Sequence, residues 1–152
     1  MAKFVFRLES LLRARIAEER ARQMELAAVE RERVILEEEI RGYQNTITAE
    51  REDMRDRLAP GAPVQLMNVR LQSNAAFHAS ALAGQAAIRL AGVYRKVETA
   101  RRNLLEAAKK RKAVEKLREN RLEEWKAEQK TRDAAAIDEM AVMRASREES
   151  LV

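Results

Sequence analysis

The chain has 152 residues, of which 36% are charged and 4% are aromatic, and this balance favours long helices over a globular core. It contains no cysteine, which excludes disulfides, a thiol nucleophile and thiolate metal ligands. The charged side chains of Arg7, Glu9 and Arg13 interrupt the apolar residues near the N-terminus, so we do not predict a signal peptide.

The first predicted element is a long helix over about residues 5–58. Its apolar side chains recur at alternating spacings of three and four residues, which keeps one stripe of the helix facing a partner helix over many turns. Ten of the sixteen positions in this ladder are apolar. The ladder consists of Val5, Leu8, Leu12, Arg15, Glu19, Arg22, Leu26, Val29, Arg33, Leu36, Ile40, Tyr43, Ile47, Glu50, Met54 and Arg57.

Three successive positions of this ladder are charged, namely Arg15, Glu19 and Arg22. Such a run weakens the packing of a simple two-helix seam. It indicates a local defect, pairing with the second helix around residues 100–107, or an end of the molecule that is made for a third surface.

A turn is predicted over residues 59–63, because two prolines flank Gly61 and end the first helix. A second helix is predicted over about residues 64–147. Its ladder consists of Ala76, Ala79, Ala83, Ala86, Leu90, Val93, Val97, Ala100, Leu104, Ala107, Arg111 and Val114. The predicted fold is therefore all-α, a single domain over residues 1–152 in which two long helices form an antiparallel coiled-coil hairpin.

A reversal centred on Gly61 predicts the register of this hairpin. Residue i then lies opposite roughly residue 122 − i, so Val5 falls near Leu117. The end of the second helix, from Glu119 onward, would extend past the first helix. We expect such an uncovered helix to fray or to bind a partner.

The start of the second helix is poor in charge and rich in small residues. Eight alanines and two glycines lie between Ala75 and Gly92, and small side chains let two helices approach closely. Phe77 stands one position off the seam, where it is either a flanking core residue or an anchor for a partner. A membrane span is not predicted here, because polar side chains interrupt the segment, namely Asn74, His78 and Gln85.

The second helix also contains a strongly basic segment, residues 95–121, with 11 basic and 4 acidic residues. Basic charge on a helix can bind nucleic acid through its phosphates. However, no aromatic side chains for base stacking are interleaved with the basic ones. The same charge suits an acidic protein partner, or a basic stalk inside a ring.

No catalytic or metal-binding motif emerges from the sequence. The only imidazole is that of His78, so no histidine pair can hold a metal and no histidine-based triad is supported. No glycine-rich phosphate-binding loop is present. We therefore predict that the chain is not an enzyme and has no metal or cofactor.

Two stretches resemble the FliJ family of flagellar protein-export components. These are FVFRLESLLRAR, residues 4–15, and RKAVEKLRENRLEEWKAEQKTRDAAAIDEMAV, residues 111–142. The Ala-rich middle of the chain, residues 59–92, departs from the more polar pattern of that family. The resemblance implies a non-enzymatic antiparallel two-helix coiled coil, similar to the central stalk of rotary ATPases.

The resemblance also implies partners and a location. The chain would bind the hexameric flagellar export ATPase as its regulator, contact the membrane protein of the export gate and handle export chaperones, in the type III pathway that serves flagellar assembly and chemotaxis. It would lie in the cytoplasm, peripheral to the inner membrane at the flagellar base, without inserting into the membrane and without binding nucleic acid.

By this resemblance, the end that carries both termini would enter the ATPase ring. The residues implied in ring contact are Arg13, Arg15, Arg118, Arg121 and Trp125, and those implied in export-gate contact are Tyr43, Ile47 and Phe77. The family pattern itself matches most closely at Phe4, Phe6, Leu8 and Leu12. The residues alone also allow a structural coiled coil that self-associates. They allow a nucleic-acid-binding hairpin as well, but they favour it less.

Overall fold

The computed structural model describes residues 3–61 and 63–149. Two long helices account for most of them: α1, Glu9–Arg57, and α2, Leu66–Glu149. These residues contain no strand. The predicted all-α class, with two long helices packed against each other, is confirmed.

Helix α1 begins four residues later than predicted. The carbonyl of Phe6 accepts a hydrogen bond from the backbone N–H of Glu9 at 3.2 Å, and the acidic side chain of Glu9 in the first turn suits the positive end of the helix dipole. Because the preceding residues are not helical, Phe6 is turned inward and is only 9% exposed, whereas the ladder residue Val5 is 76% exposed. The ladder of α1 therefore starts after Val5.

The connection between the helices is longer than the predicted turn. Helix α1 ends at Arg57, and Gly61 adopts a positive φ of 89°, which glycine tolerates because it has no Cβ. Helix α2 begins at Leu66, where the carbonyl of Gln65 accepts from the backbone N–H of Val69 at 3.2 Å. One residue of the predicted turn, Ala62, lies outside the described residues.

The chain divides into two compact units. The central unit comprises residues 20–105, and the terminal unit comprises residues 3–19 and 106–149 among the described residues. In the central unit, α1 packs against α2 around a cluster of Leu36, Val93 and Val97. The ladder positions of this unit, from Leu26 to Met54 on α1 and from Ala76 to Leu104 on α2, are all buried or half-buried.

In the terminal unit, the buried apolar side chains are those of Phe6, Leu12 and Ala107. The charged ladder residue Glu19 is half-buried and forms an ion pair with Arg111 of α2. Of the three charged ladder residues, Glu19 thus pairs with α2, beyond the expected residues 100–107, whereas Arg15 and Arg22 pair with Glu18 and Glu25 of α1.

The predicted register is wrong in both units. Glu30 pairs with Arg101 at 2.9 Å, where the prediction places residue 92. Glu9 pairs with Arg118 at 3.4 Å, where the prediction places residue 113. The geometry of the turn therefore does not fix the register.

Candidate partner-binding surface

Most of the basic charge of α2 is used within the molecule. Cationic side chains of α2 pair with carboxylates of α1 in both units. These pairs are Arg89–Glu39, Lys96–Glu32, Arg101–Glu30, Lys110–Glu18, Arg111–Glu19 and Arg118–Glu9. Exposed pairs of this kind each contribute only about 0–1 kcal/mol, but together they give the basic segment a structural role.

The other cations of the basic segment pair within α2 or stand alone. Lys109, Lys116 and Arg121 each pair with a glutamate three residues away. Among the described residues, no ion pair is found for the remaining three cations of residues 95–121, namely Arg95, Arg102 and Lys112. The charge that is free to attract an anionic partner is therefore much smaller than the sequence suggests.

Two tyrosine–glutamate hydrogen bonds add to these pairs in the central unit. The hydroxyl of Tyr94 donates to Glu37 at 2.8 Å, and this bond, with a smaller contribution from Arg33, lowers the pKa of the Glu37 carboxyl. The hydroxyl of Tyr43 donates to Glu39 at 3.0 Å. That bond lowers the pKa of Glu39 and raises the pKa of the Tyr43 phenol.

The three residues implied in gate contact differ in their availability. Tyr43 and Ile47 are half-buried on the ladder of α1, and the hydroxyl of Tyr43 is already engaged. Phe77 is 75% exposed on α2, so its interpretation as a flanking core residue is wrong. Of the three, Phe77 offers the largest free apolar surface.

The terminal unit contains an aromatic contact that sequence reasoning missed. The rings of Phe4 and Trp125 lie 6.0 Å apart between centroids and are tilted by 59°, an arrangement that aromatic pairs favour. A groove of about 590 Å³ lies around this contact, lined by Lys3, Phe4, Val5, Phe6, Arg7 and Leu8 on one side and by Leu117, Arg121, Glu124, Trp125 and Glu128 on the other. The signals that could have indicated it are the single tryptophan and the N-terminal Phe-x-Phe.

All five residues implied in ring contact belong to the terminal unit. Arg15 pairs with Glu18 at 2.8 Å, Arg118 with Glu9 at 3.4 Å, and Arg121 with Glu124 at 3.0 Å. Trp125 is half-buried against Phe4. Arg13 is exposed, and within the described part of the chain it has no ion pair.

The uncovered part of α2 is shorter than predicted. Residues 3–8 share a groove with α2 as far as Glu128, so the helix is not uncovered from Glu119. Every side chain of residues 130–147 is exposed, including the apolar Ile137, Met140 and Met143. The last five residues of the predicted extension lie outside the described side chains.

A family model described as "Flagellar FliJ protein" matches residues 4–150. The chain belongs to the FliJ family. The match spans nearly the whole chain, and family membership makes the protein a flagellar component related to protein export. Neither the search of curated proteins nor the search of solved structures gave a significant match.

The described part of this FliJ-family chain offers neither a metal site nor a membrane span. Among the residues that the structure describes, no group of histidine, aspartate and glutamate side chains is arranged to hold a metal ion. Neither described helix contains a stretch that is long and apolar enough to cross a membrane. The surface features left for partner binding are the groove of the terminal unit, the exposed helix of residues 130–147 and the exposed Phe77.

Proposed function

We propose that this FliJ-family protein is a non-enzymatic stalk and adaptor of the flagellar export apparatus. Its terminal unit binds the hexameric export ATPase, and its central unit contacts the membrane protein of the export gate and the export chaperones. It acts in the cytoplasm, at the inner membrane below the flagellum. The observation that carries the proposal is the helix of residues 130–147, in which every side chain is exposed, in a chain whose family is flagellar.

The exposed helix is the strongest argument for a partner on the terminal unit. Residues 130–147 span about 27 Å at 1.5 Å per residue, and most helical stability in proteins comes from packing of an apolar face, which this segment lacks. It carries apolar side chains at Ile137, Met140 and Met143 that no residue of α1 covers. A partner that covers these side chains would stabilise the helix and gain buried apolar area.

Charge on the terminal unit supports the same proposal. Arg13 is an exposed cation without an ion pair among the described residues, and the side chains of Arg118 and Arg121 are 48% and 63% exposed. Arg13 can pair directly with a carboxylate of a partner, and Arg118 and Arg121 can exchange their weak intramolecular pairs for such carboxylates. Charge complementarity of this kind mainly raises the association rate and the specificity.

The exposed Phe77 supports an apolar contact by the central unit. We assign Phe77 to the export gate, together with Tyr43 and Ile47, which are half-buried on α1. An exposed phenylalanine is a favourable anchor, because aromatic side chains dominate the energetics of protein interfaces.

The test is ATP hydrolysis by the purified hexameric export ATPase, titrated with the full-length chain. We expect the chain to stimulate hydrolysis and Arg13→Glu to raise the concentration needed for half-maximal stimulation. Arg55→Glu is the matched control, because Arg55 is an exposed arginine of α1 in the other unit, without an ion pair in the described part of the chain. If no concentration of the chain changes ATP hydrolysis or ring assembly, the proposal is wrong.

A second candidate is self-association through the exposed helix, favoured by the uncovered Ile137, Met140 and Met143. Sedimentation analysis separates it from the first. Self-association is supported if the chain forms a tight homodimer, if Met140→Glu dissociates this dimer, and if adding the ATPase does not. A chain that stays monomeric at high concentration excludes it.

A further inference from the structure

We infer that residues 3–8 form a displaceable strap, which occupies in the free protein a docking groove on α2 formed by Leu117, Arg121 and Trp125. This inference concerns regulation and rests on the proposed function, in which the terminal unit binds the ATPase, with Arg121 and Trp125 as the ring contacts that the family resemblance implies. The strap and the ATPase then compete for one surface, so the free chain is autoinhibited.

The strap is held to α2 by few interactions. Its backbone hydrogen bonds run to the start of α1: the carbonyl of Phe6 accepts from Glu9 at 3.2 Å, and that of Leu8 accepts from Leu12 at 3.0 Å. Among the described residues, no backbone hydrogen bond joins the strap to α2. Among the described residues, the strap touches α2 through the Phe4–Trp125 ring contact, and Phe6, which lines the same groove, is buried.

The strap also fills its groove incompletely. A groove of about 590 Å³ stays open between the strap and α2, so the strap is not packed closely against this part of the helix. Val5 and Leu8 of the strap are exposed, and so is Leu117 of α2. Displacing the strap therefore breaks few close contacts and leaves room for a better-fitting segment.

The strap indicates what the groove can accept. Its two aromatic side chains occupy alternate positions, Phe4 and Phe6, in a segment that is not helical. Both are at least half-buried, whereas Lys3, Val5 and Arg7 are exposed. The competing segment of the ATPase is accordingly a non-helical one with aromatic side chains at alternate positions, and Arg121, Glu124 and Glu128 provide charged groups at the groove.

Covalent attachment gives the strap an advantage over any segment added in solution. A tethered segment binds at an effective concentration in the millimolar range. If only the strap-free fraction of the chain is competent to bind, the apparent dissociation constant is raised in inverse proportion to that fraction. Weakening the strap should therefore lower the concentration of chain that the ATPase requires.

The strap is tested first by fluorescence, because Trp125 is the only tryptophan. We expect Phe4→Ala to shift its emission to the red and to increase quenching by acrylamide, while circular dichroism shows unchanged helicity. Phe77→Ala is the matched control, since it makes the same change at an exposed position in the other unit. Unchanged emission in Phe4→Ala would rule out the strap.

A peptide supplies the second measurement. The double variant Phe4→Ala with Phe6→Ala is titrated to millimolar concentration with a peptide of residues 3–8, KFVFRL, and with its control, KAVARL. We expect KFVFRL to restore the blue-shifted emission and KAVARL to leave it unchanged. Equal effects of the two peptides would show that the groove does not select aromatic side chains, and would overturn that part of the inference.

The regulatory step is tested with the ATPase. We expect Phe4→Ala to reach half-maximal stimulation at a several-fold lower concentration than the unaltered chain. If neither protein stimulates the ATPase while the emission of Phe4→Ala is shifted, the proposed function fails and the strap stands. If the emission shifts and the half-maximal concentration is unchanged or higher, the strap is structural and the autoinhibition is refuted.

Discussion

The seam of the central unit makes a quantitative prediction for Leu36→Ala. Leu36 is 6% exposed and packs with Val93 and Val97. The substitution removes three carbon atoms from apolar surroundings, which costs about 2.4 kcal/mol at roughly 0.8 kcal/mol for each buried CH₂. A two-helix seam is open to solvent on both sides, so neighbouring side chains and water can enter the space and the cavity term is small. We expect a loss of about 2–3 kcal/mol in the free energy of unfolding, near the lower end of the range for such substitutions.

The neighbouring residue provides a matched control. Ile35→Ala also removes three carbon atoms, but Ile35 is 64% exposed, so most of its side chain is already in water. We expect this substitution to cost less than about 1 kcal/mol. The difference between the two variants isolates the burial in the seam, because helix position and side-chain volume are nearly the same.

The assay is urea denaturation followed by circular dichroism at the helical band. For an m-value of about 2 kcal/mol per molar urea, the Leu36→Ala midpoint should fall by about 1 M at constant m. If Ile35→Ala destabilises the protein as much as Leu36→Ala does, the seam does not contain Leu36 and the assigned helix face is wrong.

Two further predictions concern the pH dependence and the register. The pKa values of Glu37 and Glu39 are lowered below their ordinary value of 4.5, mainly by hydrogen bonds from the hydroxyls of Tyr94 and Tyr43. The two carboxylates therefore stabilise the folded state above pH 4.5. This stabilisation is lost as the pH falls through the lower pKa of the folded state. The double variant Glu37→Gln with Glu39→Gln should lose less stability on acidification than the unaltered chain, measured as melting temperature against pH, and an identical acid profile would refute this. For the register, Glu30→Cys with Arg101→Cys should be joined by a short bismaleimide, since the chain has no native cysteine. Glu30→Cys with Gly92→Cys should not, because residues 92 and 101 lie about 13 Å apart along α2; preferential linking to residue 92 would restore the register predicted from the turn.

The ladder could be predicted from the sequence because it depends only on local spacing. A spacing of three and four residues selects one face of a helix whatever the partner is, and Leu12, Leu36 and Val93 are buried as that rule requires. The start of α1 could not be predicted in this way. The pattern around Val5 continues the ladder, but burial of Phe6 and the contact of Phe4 with Trp125 outweigh it.

Family membership could also be predicted, because the motifs at both ends of the chain are included in the matched residues 4–150. The candidate site itself could be predicted only in part. The residues implied in ring contact share one unit, but the pairing of Arg118 with Glu9 depends on which residue of α2 lies beside α1. That information is not contained in the spacing of either helix alone.

The charged pairs explain how one register is selected from several. An apolar ladder looks the same after a shift of one heptad, so the seam alone leaves the register open. After such a shift of seven residues along α2, Glu19 would lie beside Leu104 instead of Arg111, and a carboxylate on the seam would lose its partner. Leaving a partly buried charge unpaired is costly, even where the pair itself adds little to stability.

Selecting the register also places the strap. In the terminal unit, the register with Glu19 beside Arg111 brings Phe4 beside Trp125. A shift of one heptad would bring Phe4 beside Arg118 and leave Trp125 without its aromatic contact. The half-buried ion pair and the aromatic contact therefore depend on one another within this unit. Glu19 is a polar position that weakens the apolar seam, yet through Arg111 it positions the groove for the strap and for the proposed segment of the ATPase.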